Sequence, residues 1–176
     1  MPEREKDDRY DEAQKLISFG ELTTKNVEQL RKLNLAVFPV RYNDKFYEDL
    51  ANNRQGQLPY THLAYFADIM VGAICCRVEP QEGSDKFKVY IMTIGVLAPY
   101  RRLGIGAKLL EQSLEACGKA ADCEEVYLHV QVGNDEAVKF YQGFGFHKGD
   151  VVPNYYQRLD QNDAYLISKK PPFLTR

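Results

Sequence analysis

The sequence predicts an α/β (α+β) domain, with about seven strands in a mixed central sheet and about four helices, on three observations. A length of 176 residues with 44% hydrophobic composition fits one domain with its own core. Apolar runs of strand length alternate with segments of helical period in an order that is neither all hairpins nor strict strand–helix–strand units. Parallel and antiparallel pairs must therefore occur in one sheet. Finally, an apolar strand runs into a turn rich in Arg and Gly at 98–106, and that turn opens a helix.

Taken in order, residues 1–15 are crowded with charge and read as a mobile tail, 16–169 form the domain, and 170–176 are a short C-terminal tail. A first strand is expected at Leu16 to Leu22. Thr23 or Thr24 then caps a helix carrying Val27, Leu30, Leu33 and Val37 and stopped by Pro39. A second short helix spans about Lys45 to Asn52, and Pro59 breaks the pattern. His62 to Phe66 and Ile69 to Val78 are strands joined at Ala67-Asp68 as a hairpin, and Phe87 to Leu97 is the next strand. After the glycine turn, Ile105, Leu109, Leu110, Leu114 and Cys117 mark one apolar helix face. A strand at Val126 to Gln131, a helix from Asp135 to Phe144, and strands at Phe146 to Val152 and Ala164 to Lys169 complete the domain.

A formal charge of -2 argues against nucleic acid held on a basic face, and the longest apolar runs are far shorter than a membrane-spanning helix. No nucleic-acid or membrane partner is expected. Cys75, Cys76, Cys117 and Cys123 contain no Cys-x-x-Cys pair. They are expected to be buried free thiols with no bound metal, and reduced thiols fit the cytoplasm or the nucleus.

The stretch Ala98-Pro99-Tyr100-Arg101-Arg102-Leu103-Gly104-Ile105-Gly106-Ala107 carries the strongest chemical signal. A helix N-terminus presents unpaired N–H groups and partial positive charge, and Gly104 and Gly106 let an anion approach the backbone. Arg101 and Arg102 add charge at the same place. The spacing Arg-x-x-Gly-x-Gly is neither the dinucleotide-binding Gly-x-Gly-x-x-Gly nor a Gly-Lys-Ser/Thr loop. It resembles the acetyl-CoA motif of the GNAT superfamily of acetyltransferases.

A second segment, Asn134-x-x-Ala137-x-x-Phe140-Tyr141-x-x-x-Gly145-Phe146, resembles the other signature of that superfamily. The similarity runs from about Leu16 to Lys169. It implies that acetyl-CoA lies against Ile94, Val96, Arg101, Arg102, Leu103, Gly104, Ile105, Gly106, Ala107, Asn134 and Tyr141, with the Tyr141 hydroxyl available to the departing thiolate.

Phe38-Pro39-Val40-Arg41-Tyr42, Tyr90-Ile91-Met92-Thr93, Tyr127-Leu128-His129-Val130-Gln131 and Asn154-Tyr155-Tyr156 narrow the resemblance to the catalytic subunit of NatE-type protein N-terminal acetyltransferases. It implies an acceptor pocket walled by Phe38, Pro39, Val40, Tyr42 and Met92, with Tyr155 and Tyr156 closing over the peptide. From the residues alone, Phe38-Pro39-Val40 fits a helix end tucked into the core equally well. The implied substrates are protein N-termini with a retained Met before a hydrophobic residue, acetylated directly in a ternary complex. The implied partners are the NatA complex and the ribosome. The chain departs from the family pattern at Arg41, in a longer segment at 52–60, and in its charged N-terminus.

An α-amino group with a pKa of about 8 is mostly protonated at neutral pH, so a base is required. His129, with an ordinary pKa of about 6.5, suits that role better than a phenol, and strand alternation lets Tyr90 meet it if the two strands are neighbours. The expectation is that His129 takes the proton through a water that Tyr90 helps to hold, while N–H groups near Val96 and Leu97 receive the developing oxyanion. Two other readings stay open: lysine acetylation on the same scaffold, of histones or of the enzyme itself, and a weakly active binding subunit of the NatA complex.

Overall fold

The structure, a computed structural model, describes residues 2–157 and 160–174, with side chains from Asp8 onward. The helices are α1 (Pro2–Lys15), α2 (Val27–Val37), α3 (Asp44–Ala51), α4 (Ile105–Lys119) and α5 (Asp135–Gly143). The strands are β1 (Ile17–Gly20), β2 (His62–Phe66), β3 (Ile69–Pro80), β4 (Phe87–Val96), β5 (Cys123–Gln131), β6 (His147–Val152) and β7 (Ala164–Lys169). One mixed seven-stranded sheet results, in the order β1-β2-β3-β4-β5-β7-β6. Five α-helices stand where about four were expected, because the segment read as a tail is helix α1. Glu, Lys, Arg, Ala and Gln are good helix formers, and charge alone does not oppose a helix.

By internal contacts the chain forms two units, through both of which β3 and β4 run. In the first, Met1–Cys76 with Met92–Ser113, β1 pairs with β2 and β2 with β3, both antiparallel. The β2–β3 hairpin turns at Ala67, in the left-handed region with φ 52°. Leu22, Leu30, Leu33, Tyr47, Leu50, Leu63, Met70, Ala73 and Cys75 form the core of this unit. Each fully buried leucine contributes roughly 1.5–3 kcal/mol.

Helix α2 does not use Thr23 or Thr24 as its cap. It starts after Asn26, whose Oδ1 accepts from Thr23 N, while Thr23 Oγ1 accepts from Lys25 N. These side chains serve the preceding turn, a common competing use of Asn and Thr. At its other end, Pro39 holds Phe38 extended at φ −111° and ψ 140°, and the helix stops. Asn43 caps α3 by accepting from Phe46 N at 3.0 Å.

The second unit is Arg77–Ile91 with Leu114–Arg176. Here β4 and β5 are parallel, while β5 and β6 both pair antiparallel with β7. The β4–β5 ladder ends at Tyr90↔Tyr127, but β5 keeps its β7 partners from Leu128 to Gln131. The edge of β5 beyond Tyr127 is therefore paired on its β7 side alone among the described residues.

All four cysteines are free and buried. Cys75 and Cys76 point to opposite faces of β3, toward Thr93 and Ser113 respectively, and burial pushes the Cys75 thiol up to about 11. No helix among the described residues is long and apolar enough to cross a membrane.

Candidate functional site

The parallel register places Tyr90 of β4 beside Tyr127 of β5, and His129 lies two residues further along the same face of β5. The Tyr90 hydroxyl is 2.9 Å from His129 Nδ1 and 2.7 Å from the Tyr155 hydroxyl. The Tyr155 ring stacks on the His129 imidazole, with centroids 3.9 Å apart and planes 15° from parallel. Tyr156 donates from its hydroxyl to the His129 carbonyl at 3.4 Å and packs edge-on against Tyr155. Four residues expected from the sequence thus form one hydrogen-bonded aromatic cluster.

Burial holds the His129 imidazole below its ordinary pKa, with Glu79 pulling weakly the other way, so the ring is neutral at pH 7. Burial, and then the hydrogen bond with Tyr155, raise the Tyr90 phenol far above its ordinary value of about 10. Tyr90 therefore stays protonated and acts as a donor. The chain Tyr155–Tyr90–His129 can run in either direction. If the tyrosines donate toward Nδ1, the imidazole proton is on Nε2; if Nδ1–H donates to Tyr90, Nε2 carries the lone pair.

Arg77 and Glu79 were missed by the sequence reading. The Arg77 guanidinium lies 4.7 Å from the centre of the Tyr90 ring and bridges to Glu79 at 2.7 Å, while Glu79 Oε1 accepts from the Tyr127 hydroxyl. Burial first, and then Glu79, push the Tyr127 phenol up to about 12. The available signal was alternation: residues 77 and 79 share one strand face.

In the first unit, the expected cradle is a turn followed by helix. Arg102 and Gly104 are both left-handed, with φ of 65° and 76°. Lys108 N closes the first helical bond to Gly104 O, which leaves the N–H groups of Ile105, Gly106 and Ala107 without a partner in the helix ladder. A Cβ on Gly106 would meet only Val96 Cγ2, at 4.0 Å, so packing among the described residues does not require a glycine here. Gly in a helix costs about 1 kcal/mol relative to Ala, and the bare backbone leaves room for an anion at these N–H groups. Arg101 Nε donates to the Val96 carbonyl at 2.9 Å, which ties the guanidinium to the end of β4. These residues fit a CoA diphosphate.

Of the N–H groups near Val96 and Leu97 expected to receive an oxyanion, one is engaged. The Leu97 N–H is donated to the Val71 carbonyl at 2.8 Å and is not available to an oxyanion. Strand pairing has taken it.

The apolar residues at the end of α2 lie in the same unit. Phe38 meets Tyr42 edge-on at 6.3 Å, Tyr42 stacks on Phe46 at 4.6 Å, and Val40 is 55% exposed. Pro39 is exposed beside Val40, and Tyr42 and Met92 are half-buried against the core. Pro39 and Val40 therefore stand at the surface, while Phe38 is half-buried with its ring packed toward Gly95. Gly95, also missed, makes this possible: a Cβ there would stand 2.7 Å from Val37 Cγ1 and 2.8 Å from Phe38 Cζ.

Of the remaining expected residues, Ile94 is half-buried on β4. Asn134 caps α5 by accepting from Ala137 N at 3.2 Å. Tyr141 is buried between Phe140 and Phe146. Among the described residues, no group of three or more His, Cys, Asp or Glu side chains is arranged to hold a metal ion.

Comparison with known proteins agrees with this chemistry. The model of the acetyltransferase (GNAT) family matches residues 27–146. N-alpha-acetyltransferase 50 of Danio rerio is 48% identical over 153 residues, covering 87% of this chain and 88% of that protein. The probable N-acetyltransferase san of Drosophila melanogaster is 44% identical over 153 residues, covering 87% and 80%. The structure of Arabidopsis thaliana Naa50 in complex with the bisubstrate analogue CoA-Ac-MVNAL superimposes with a TM-score of 0.79 at 48% identity, covering 88% of this chain and 99% of that one.

Proposed function

The chain belongs to the acetyltransferase (GNAT) family, and from that premise we propose that it transfers the acetyl group of acetyl-CoA to the free α-amino group of protein N-termini, preferring a retained Met followed by a hydrophobic residue. The observation that carries this reading is the chain of hydrogen bonds Tyr155–Tyr90–His129 on a neutral imidazole. It is supported by the relatives named N-acetyltransferases and by the Arabidopsis protein, whose bisubstrate analogue joins CoA to a peptide beginning Met-Val.

Acetyl-CoA supplies a thioester whose carbonyl the uncharged amine attacks. In this reading the bare N–H groups of Ile105, Gly106 and Ala107 and the charge of Arg101 and Arg102 hold the diphosphate. Burial makes His129 a neutral base able to take the ammonium proton, directly or through a water, while Tyr90 orients the ring from Nδ1. Nε2 is then the nitrogen that receives the proton, with Nδ1–H donating to Tyr90. The Tyr141 hydroxyl serves the departing thiolate. Phe38, Val40 and Tyr42 line the place of the methionine side chain, and Tyr155 and Tyr156 flank the peptide backbone.

The proposal extends to work in the cytoplasm or nucleus beside the NatA complex and the ribosome. Its central claim is tested by initial rates on peptides beginning Met-Leu and Ser-Glu and on a blocked peptide with an internal lysine. The Met-Leu peptide should be fastest, by about tenfold or more, as the loss of a buried apolar side chain implies. A lysine peptide acetylated faster than the Met-Leu peptide would overturn the reading.

A further inference from the structure

The N-terminal helix touches the glycine turn at two points one helical turn apart. Gln14 Nε2 donates to the Leu103 carbonyl at 2.6 Å, and the Tyr10 hydroxyl stands 3.5 Å from the point a Gly104 Cβ would occupy. Positions 10 and 14 share a helix face, so α1 backs this turn with one side. Gln14 and Leu103 are 89 residues apart in the chain, so the contact is a tertiary one.

The orientation of the peptide unit joining Leu103 to Gly104 is set by ψ of Leu103 and φ of Gly104, and Gly104 is left-handed with φ 76°. Glycine adopts positive and negative φ with similar ease, so sterics alone do not fix which way this peptide faces. A trans peptide points its C=O and N–H in opposite directions. By holding the Leu103 carbonyl toward α1, Gln14 therefore turns the Gly104 N–H away from α1. That N–H then stands in sequence with those of Ile105, Gly106 and Ala107 at the start of α4.

We infer that Gln14 is a positioning residue for the cofactor: it selects the peptide orientation in which Gly104 N–H joins the anion-binding N–H groups of the turn. This rests on the acetyl-CoA reading of the turn given above. A site competent only part of the time binds more weakly by that fraction, and removing one neutral hydrogen bond that selects a conformer lowers affinity by about fivefold.

The test uses the full chain with Gln14→Leu, which keeps bulk and removes the donor, and Gln14→Lys, which restores an N–H donor of similar reach. Calorimetric titration with CoA should show the dissociation constant rising about fivefold in Q14L and returning to within about twofold of the parent in Q14K. KM for acetyl-CoA should follow while kcat and the peptide KM stay near parental values. Equal CoA affinity in Q14L and the parent overturns the inference, as does a loss in Q14L that Q14K does not restore. Tighter CoA binding by Q14L overturns it too, since α1 would then be obstructing the turn. Failure of the parent itself to bind CoA would instead sink the cofactor reading, and the two failures are distinct.

Discussion

His129 is useful because two forces on its ring are unequal. Burial lowers the imidazole pKa and the Glu79 carboxylate raises it, and burial is the larger. In the proposed reaction the neutral form is the base, so protonation switches it off. In the proposed mechanism His129 deprotonates the bound ammonium, so kcat/KM for the peptide should stay level between about 8, where the free amine titrates, and the His129 value, itself under 6.5. Once the pH drops below the His129 value, kcat/KM should fall about tenfold per unit. His129→Ala should lose about a hundredfold or more in kcat and, with only the free amine left to react, fall about tenfold per unit from about 8 downward, and a pH–rate profile on both proteins checks this. An unchanged level region in the variant would mean that another group is the base. Tyr90→Phe removes the contact to Nδ1 without opening a large cavity, and a loss in kcat of about tenfold is expected. The depressed pKa also has a stability consequence. Below about 6.5 the unfolded chain binds this proton more readily than the folded one, so the contribution of neutral His129 is lost as pH falls.

Helix α2 and strand β4 meet where a glycine lets them. Because a Cβ at Gly95 would come within 2.8 Å of both Val37 and Phe38, Gly95→Ala must displace the end of α2. Overpacking of this kind costs about 1–3 kcal/mol. For a chain of this size that is a fall in Tm of roughly 2–12 °C, with a rise in peptide KM as Phe38 moves. Thermal unfolding and peptide kinetics measure both, and unchanged values would show that Phe38 has room to yield. This glycine was not legible as a functional residue, since it sits inside a regular strand and its reason lies in helix α2, far away in sequence. The strands and helices themselves were legible wherever a local signal marked them: Ala67-Asp68 for the β2–β3 turn, Pro39 for the end of α2, Gly104 for the start of α4. Helix α1 was not, because it has no apolar stripe to read and its Gln14 contact is made with a residue 89 positions on.

At the scale of the whole chain, the pairing of Tyr90 with His129 could be anticipated, since it needed only strand alternation and the right strand neighbours. Arg77 and Glu79 were missed although alternation offered a signal, because the strand was expected to end at Val78 and β3 runs to Pro80. The Arg–Gly turn was the clearest signal of all, and its proposed role makes a global measurement informative. A ligand that binds only the folded chain stabilises it by about 2.7 kcal/mol when present at about a hundredfold over its dissociation constant. With 176 residues, each kcal/mol moves Tm by roughly 2–4 °C, so CoA at that excess should raise Tm by about 5–10 °C. Pantetheine carries the thiol and the amide arm of CoA but no diphosphate. If the Arg–Gly turn supplies most of the grip, pantetheine at the same concentration should shift Tm by less than about 1 °C, because it forgoes the charge-assisted bonds to the helix N-terminus. A shift equal to that of CoA would place the binding energy in the amide arm and leave the glycine turn without its role.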